Sequence, residues 1–315
     1  MSISSFSYSF LFPHIFKLRQ QKAGDPIRQK LTAVLLAFCL VLACSALEYL
    51  DPDTRAVLAP AENSVLLPVV MYHHICESSS RWGDYVIPPE QFEEDLRFLS
   101  ERGYQTVTPA QVLDFVQNGT PLPDKCVMIT FDDGYESTYA YAFPLLDQYK
   151  MKAVISVIGS YTELYSNPDE PRHINYSHAN WEQLREMTDS GVFTIGNHSM
   201  DLHRDGTNGR RKGIVIRNGE SETDYQSALS ADLSALNTRM KEELGIAPFV
   251  FAYPFGALCK EAKPVLSDLG FTVWLTCAEK VNTVTQGQEM PVILGRFNRA
   301  HRYDTASFFK KLGIS

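Results

Sequence analysis

From residue 67 to the carboxyl end, short apolar runs alternate with stretches of helical periodicity. The runs are LPVVMY (67–72), KCVMITF (125–131), AVISVIG (153–159), VFTIG (192–196), FVFAYP (249–254) and FTVWLTC (271–277). Each is short, rich in β-branched residues and apolar on both faces, the pattern of a strand buried in a parallel sheet. Between them, PEQFEEDLRFLSERG (89–103) repeats Phe92, Leu96 and Leu99 at helical spacing behind Pro89. TPAQVLDFVQNG (108–119) has a Thr cap, a Pro at its first turn and a closing Gly, so both ends of a helix are marked. Further helices are expected over 137–149 (kinked at Pro144), 180–191, 227–245 and 261–270. About seven strand–helix units suit a closed or partly closed β/α barrel with helices outside. Residues 204–226 are polar and glycine-rich and read as a surface loop.

The amino end departs from this rhythm. Lys17, Arg19, Lys22, Arg28 and Lys30 face a single acid, Asp25, within residues 1–30. Residues 31–47 then carry no charge at all, near the lower length limit for spanning a bilayer. The positive-inside rule puts residues 1–30 in the cytoplasm and the chain beyond Glu48 outside. The division expected is a cytoplasmic basic segment (1–30), a membrane anchor or signal segment (31–50), a linker (51–66) and one folded domain (67–315). That division implies location at the cell membrane by a single span, with the domain extracytoplasmic. Secretion after signal cleavage is the alternative.

Hydrophobic residues make up 44% of the 315, enough for a sizeable core. The net charge of -8 argues against nucleic acid as a partner, since phosphate binding wants a basic face. None of the six cysteines stands in a CxxC pair, which argues against a thiolate-bound metal. Free thiols are the expectation, with Cys259–Cys277 the one conceivable disulfide. The sequence carries no reading of oligomeric state.

Chemistry-bearing residues cluster at the carboxyl ends of the expected strands, where sites form in parallel β/α sheets. ITFDDG (129–134) ends one strand in two adjacent carboxylates, Asp132 and Asp133, which alternation points in different directions. One can bind a metal while the other stays free as a base. IGNHSMDLH (195–203) supplies His198 and His203 after the next strand but one. Two imidazoles and a carboxylate leave a position open for water, the pattern of a catalytic zinc site. VVMYHHI (69–75) ends in His73 and His74, either of which is suited to protonate a leaving amine. FAYPFG (251–256) offers a backbone N–H at Phe255 to an oxyanion.

TFDDG, the His-Ser…His loop and the Y-P-F-G turn, in this order, resemble the polysaccharide deacetylases of the NodB-homology type, carbohydrate esterase family 4. The resemblance covers about residues 67–300. It implies a distorted (β/α) barrel and removal of N-acetyl groups from glycans such as chitin, peptidoglycan or poly-N-acetylglucosamine. It implies Asp132 as general base and Asp133, His198 and His203 as ligands of a divalent ion. Zn²⁺ is the expected ion, with Co²⁺, Ni²⁺ or Fe²⁺ as alternatives. It further implies an oxyanion contact from the Phe255 N–H. The His spacing of five and the early MYHHI resemble the branch that includes poly-N-acetylglucosamine deacetylases, in which the motifs are permuted and the acid comes from the first strand. That favours His73 over His74. Ala252 stands where the wider family has an Arg beside the base, and Arg296 in LGRFNR is the candidate replacement. No carboxyl-terminal L-x-H acid motif is present; His301 comes too late.

The resulting expectation is a metal-dependent N-deacetylase of an amino-sugar polymer, held at the membrane. Trp82, Tyr85 and Trp181 are candidates for stacking on sugar rings, and equally for packing. Two other readings stay open: an inactive metal-containing domain that holds glycan, and a small-molecule amidohydrolase on the same scaffold.

Overall fold

A computed structural model describes residues 63–315. The basic segment 1–30, the expected span 31–50 and most of the linker lie outside the described residues. No described helix is long and apolar enough to cross a membrane. Ser64–Leu67 is a strand paired antiparallel with Asn282–Thr285, although its first three residues were expected to end the linker. Leu67 and Val284 are buried in that pairing, which a reading based on the polar stretch before it overlooks.

The main sheet runs through eight strands: β1 (Val69–Tyr72), β2 (Cys126–Phe131), β3 (Ala153–Val157), β4 (Phe193–Asn197), β5 (Val250–Ala252), β6 (Val273–Leu275), β7 (Val292–Leu294) and β8 (Phe297–Asn298). Their order is β7-β6-β5-β4-β3-β2-β1-β8, and every neighbouring pair is parallel. The short strand Gln105–Thr106 also joins β2. The two edge strands, β7 and β8, are separated by only Gly295 and Arg296, so one stretch of chain borders both edges of the curled half-barrel. Of the eight strands, β7 and β8 were not expected, because they are only three and two residues long and flank the polar pair Gly295 and Arg296.

All six residues of β2 and all five of β3 are buried. Alternate side chains go to different cores, as strand geometry requires. Val70, Ile129, Phe131 and Ile155 pack under Phe92, Leu96, Leu184 and Met240 of the surrounding helices. Val69, Met128, Val154, Val250 and Val273 form the inner core, together with Val112, Phe115 and Val116.

The helices are α1 (Pro89–Glu101), α2 (Pro109–Asn118), α3 (Phe143–Gln148), α4 (Gly159–Ser166), α5 (Trp181–Asp189), α6 (Glu222–Leu244), α7 (Lys263–Asp268) and α8 (Thr305–Lys311). At α2 the cap is as expected: Thr108 accepts from the Gln111 N–H, and the Gln111 side chain reaches back to the Thr108 N–H. Thr138–Ala142 is a π-helical turn leading into α3, where Pro144 lies in the first turn. The strand expected to run to Gly159 ends at Val157, and Gly159 opens α4 instead. α6 begins inside the expected loop, because Ser221 caps it and its polar first turn hides the helical period.

Candidate active site

Because the sheet is parallel, the carboxyl ends of β1 to β6 share one side. The chain leaves β2 through Asp132, whose N–H donates to the Tyr72 carbonyl of β1. Asp133 and Gly134 come next, with φ of 69° and 76°. That left-handed pair reverses the chain and suits Gly at the second position. A Cβ on Gly134 would meet Val157 at 3.0 Å.

The two carboxylates then part, as alternation requires. Asp132 is 3% exposed and receives both guanidinium forks of fully buried Arg296 at 2.7 Å each. Arg296 is itself fixed by the Thr130 hydroxyl and the Thr276 carbonyl. Burial alone pushes the Asp132 carboxyl up, but Arg296, helped by His198 and His73, holds it below the ordinary carboxylate range. Asp132 is therefore an ionised carboxylate kept out of water, the state a base requires.

Asp133 Oδ1 lies 3.5 Å from His198 Nε2 and 3.2 Å from His203 Nε2. One ligand atom from each of these three residues falls within 4.8 Å of the others. His198 Nδ1–H donates to the Ala252 carbonyl at 2.8 Å, which leaves Nε2 as the lone-pair nitrogen turned to the cluster. This is the outer contact that orients metal-binding imidazoles. Burial pushes His203 down to about 4, so it is neutral at working pH. Burial works against a charge on His198 as well, but Asp133, Asp132 and the Ala252 carbonyl together outweigh it and raise its pKa, so a cation at Nε2 competes with a proton there. Asp133 Oδ1 is buried and accepts no hydrogen bond. The donor set and the unpartnered oxygen fit a divalent cation.

His73 borders the same cavity, its ring edge-on to Tyr85 at 4.8 Å. Its Nδ1 is buried without a partner, and burial lowers its pKa, opposed by Asp133 and Asp132. His74 points elsewhere. Its Nε2–H donates to the Asn175 carbonyl, and Ser137 Oγ lies 2.8 Å from Nδ1. Phe255 adopts φ 57° and stacks its ring on His203 at 4.3 Å.

The cavity measures about 540 Å³ and takes in His73, Asp132, Asp133, His198, His203 and Phe255. Tyr135, Lys212, Cys277, Glu279 and Asn298 also line it, and sequence reasoning missed them. Lys212 comes from the loop after β4 and Cys277 from just past β6, so position after a strand was the only signal they offered. Of the three aromatic candidates, only Tyr85 lines the cavity. Trp181 is 4% exposed in the core, and the Trp82 indole N–H donates to the Cys76 carbonyl. Cys259 and Cys277 are free thiols, as are the other described cysteines.

Comparison with known proteins bears on this arrangement. Residues 119–274 match the family model described as polysaccharide deacetylase. The chain is 24% identical over 288 residues to the poly-beta-1,6-N-acetyl-D-glucosamine N-deacetylase of Escherichia coli K12, covering 84% of this chain but only 42% of that protein. It is 24% identical over 272 residues to the enzyme of the same name from Staphylococcus aureus N315, covering 81% of this chain and 88% of that one. The solved structure of IcaB from Ammonifex degensii superposes with a TM-score of 0.61 at 29% identity, over 74% of this chain and 91% of IcaB. The family match takes in Asp132, Asp133, His198 and His203, while His73 reaches the cavity and Arg296 reaches Asp132 from outside the matched span. Motif, fold and kinship thus agree, and the chain carries a polysaccharide deacetylase domain.

Proposed function

We propose that this chain is a metal-dependent hydrolase that removes N-acetyl groups from an amino-sugar polymer of the poly-N-acetylglucosamine or peptidoglycan kind. The observation that carries the reading is the pairing of two unlike carboxylates at one strand end. Asp132 is held ionised by Arg296, while Asp133 keeps an unpartnered oxygen between two imidazoles. The names of the relatives support the substrate class.

Asp133, His198 and His203 would hold the ion, expected to be Zn²⁺, which when bound polarises a carbonyl and lowers the pKa of a water. Asp132 takes a proton from the attacking water as it adds to the acetamide carbon. The Phe255 N–H is the backbone donor assigned to the developing oxyanion; such donors typically contribute about 3 kcal/mol. The carbon–nitrogen bond then breaks only if the nitrogen is protonated, because an amide anion does not leave at neutral pH. His73, once protonated from solvent, donates that proton; burial disfavours its charged form, and the Asp133 and Asp132 carboxylates oppose that by favouring it. Asp132 returns its proton to solvent, and acetate and a free amine are the products.

We place the domain outside the cell, tethered by residues 31–50, on the strength of the basic segment before that uncharged run. The test is acetate release from N-acetylglucosamine oligomers by the full chain loaded with Zn²⁺ or Co²⁺. Release that is lost in both Asp132→Asn and His73→Ala supports the reading. A chain that holds one ion yet releases no acetate from oligomers or peptidoglycan contradicts it.

A further inference from the structure

The loop between β4 and α6 reverses the charge of the rest of the chain. From Asp201 to Glu220 it carries Arg204, Arg210, Arg211, Lys212 and Arg217 against Asp201, Asp205 and Glu220, in a chain whose net charge is -8. Its four arginines line one cavity of about 440 Å³, with Asp201 also in the wall. That cavity shares no residue with the catalytic one, although Lys212 of the same loop lines the latter. Four like charges around one space repel each other, so the arrangement is costly without an anion between them.

The loop is held in place. Ile214 is fully buried, and its carbonyl accepts from the Tyr225 hydroxyl at 2.6 Å. The Gly213 N–H donates to the Arg204 carbonyl, and Asp205 bridges to Lys212. The Arg211 side chain is 8% exposed, gives both forks to Glu220 at 2.8 and 2.6 Å, and lies over the Tyr225 ring. Arg217 reaches the same Glu220 at 3.2 Å, and Arg204 pairs with Asp201. Two acids thus serve three arginines. Arg210 is left exposed, with no ion pair and no side-chain hydrogen bond among the described residues. Each guanidinium has five N–H donors, so the four hold more donors than Asp201 and Glu220 can accept. Four cations against two acids leave an excess of two charges, which a tetrahedral dianion matches. Arginine forks suit its oxygens, and among groups carried on biological molecules that dianion is the phosphate monoester. The cavity is large enough for one such group.

We propose that this loop forms a phosphate site separate from the catalytic cavity, in which Arg204, Arg210, Arg211 and Arg217 bind one dianionic phosphoryl group, free or carried on an alcohol. Arg211, fixed by Glu220 and Tyr225, sets the floor of the site, and Arg210 closes on the ligand. The site stands apart from the deacetylase reading and does not depend on it.

The test is calorimetric titration of the full chain with inorganic phosphate at about pH 8, where phosphate is mostly a dianion. It is run on the Zn²⁺-loaded chain and again after chelation, so that phosphate held by the metal is recognised by its loss. Wild type should bind one phosphate in both states. Arg210→Ala removes an exposed side chain without partners, so the variant is expected to fold, and it should weaken binding about tenfold, the worth of one charge-assisted contact. Arg217→Ala should do the same, and Arg210→Lys, which keeps the charge and loses the fork, should lie between. Lys212→Ala, on the other cavity, should change the affinity less than about twofold. Glycerol 1-phosphate bound as tightly as inorganic phosphate makes an esterified group the source, and its exclusion makes the free ion the source. Acetate and the diester glycerophosphoglycerol, each with one charge, should bind at least about tenfold more weakly. No saturable binding, binding lost on chelation, or binding that neither Arg210→Ala nor Arg217→Ala weakens overturns the site. A diester bound as tightly as phosphate overturns the dianion assignment. None of these outcomes bears on acetate release, so the two readings stand or fall separately.

Discussion

Replacing Arg296 by methionine keeps most of the side chain's length and removes its charge. Asp132 is then a 3% exposed carboxylate without the guanidinium that now meets both its oxygens at 2.7 Å. Breaking a buried pair from one side costs about 3–5 kcal/mol, mostly the penalty of the charge left behind. In a domain of this size that corresponds to a fall of about 10 °C in Tm. Urea denaturation of the full chain at pH 7, monitored by tryptophan fluorescence, measures the cost. The control is the same replacement in Asp132→Asn, where no charge is stranded and the cost should fall by more than half. Arg296→Lys, which keeps the charge and loses the fork, should lie between. The pH dependence has a definite sign. In wild type the folded-state pKa of Asp132 is lowered, so its contribution to stability is present above the unfolded-state pKa and is lost as the solution is acidified through the folded value. In Arg296→Met, burial is no longer outweighed by its main opponent, the carboxyl moves up, and the acid limb of acetate release moves to higher pH. An equal cost of Arg296→Met in both backgrounds, with an unmoved acid limb, would refute the account of this pair.

Three further outcomes are expected. Asp95, fully buried, accepts from Tyr72, Thr305 and both forks of Arg299, so Asp95→Ala should cost about 3–5 kcal/mol in urea denaturation, with the stranded Arg299 as the reason. Gly134→Ala should lower stability by about 1–2 kcal/mol for its positive φ alone, and should weaken Zn²⁺ uptake measured by equilibrium dialysis, since the shift from Val157 falls on neighbouring Asp133. Burial pushes His74 down to about 4, so the stability from keeping it neutral is full above the unfolded-state value near 6.5 and declines as pH falls towards 4, by up to about 3 kcal/mol. His178 shares that window, and His74→Gln should flatten the decline of the urea midpoint only in part.

How far the sequence foretold the molecule depends on where each signal lay. Strands β2 to β6 were legible because strands buried on both faces are unbroken apolar runs. β8 was not, because Phe297 and Asn298 sit among arginines that serve Asp132 and Asp95 rather than the sheet. α4 was hidden because AVISVIG runs apolar across the strand end and into the helix. Asp132, Asp133, His198 and His203 were readable from motif and strand ends together, and the structure brings them into one cavity. Choosing between His73 and His74 needed the backbone, which turns one ring to the cavity and the other to Ser137 and Asn175. Arg296 was a candidate only through the resemblance, since its partner lies 164 residues away and no local pattern marks the pair. Lys212 and Glu279 are single charges in polar stretches, and only the fold shows that both line the cavity. Trp181 was a fair candidate for a sugar platform and proved to be core, because a large ring serves either purpose equally well.

The most direct test of the central claim is to titrate metal-free full chain with Zn²⁺ while measuring bound metal and acetate released from N-acetylglucosamine oligomers in the same samples. The account predicts that both rise together and saturate at one ion per chain, and that His198→Ala and His203→Ala lose both. Full activity in the metal-free chain, or one bound ion in either variant with undiminished affinity, would contradict it.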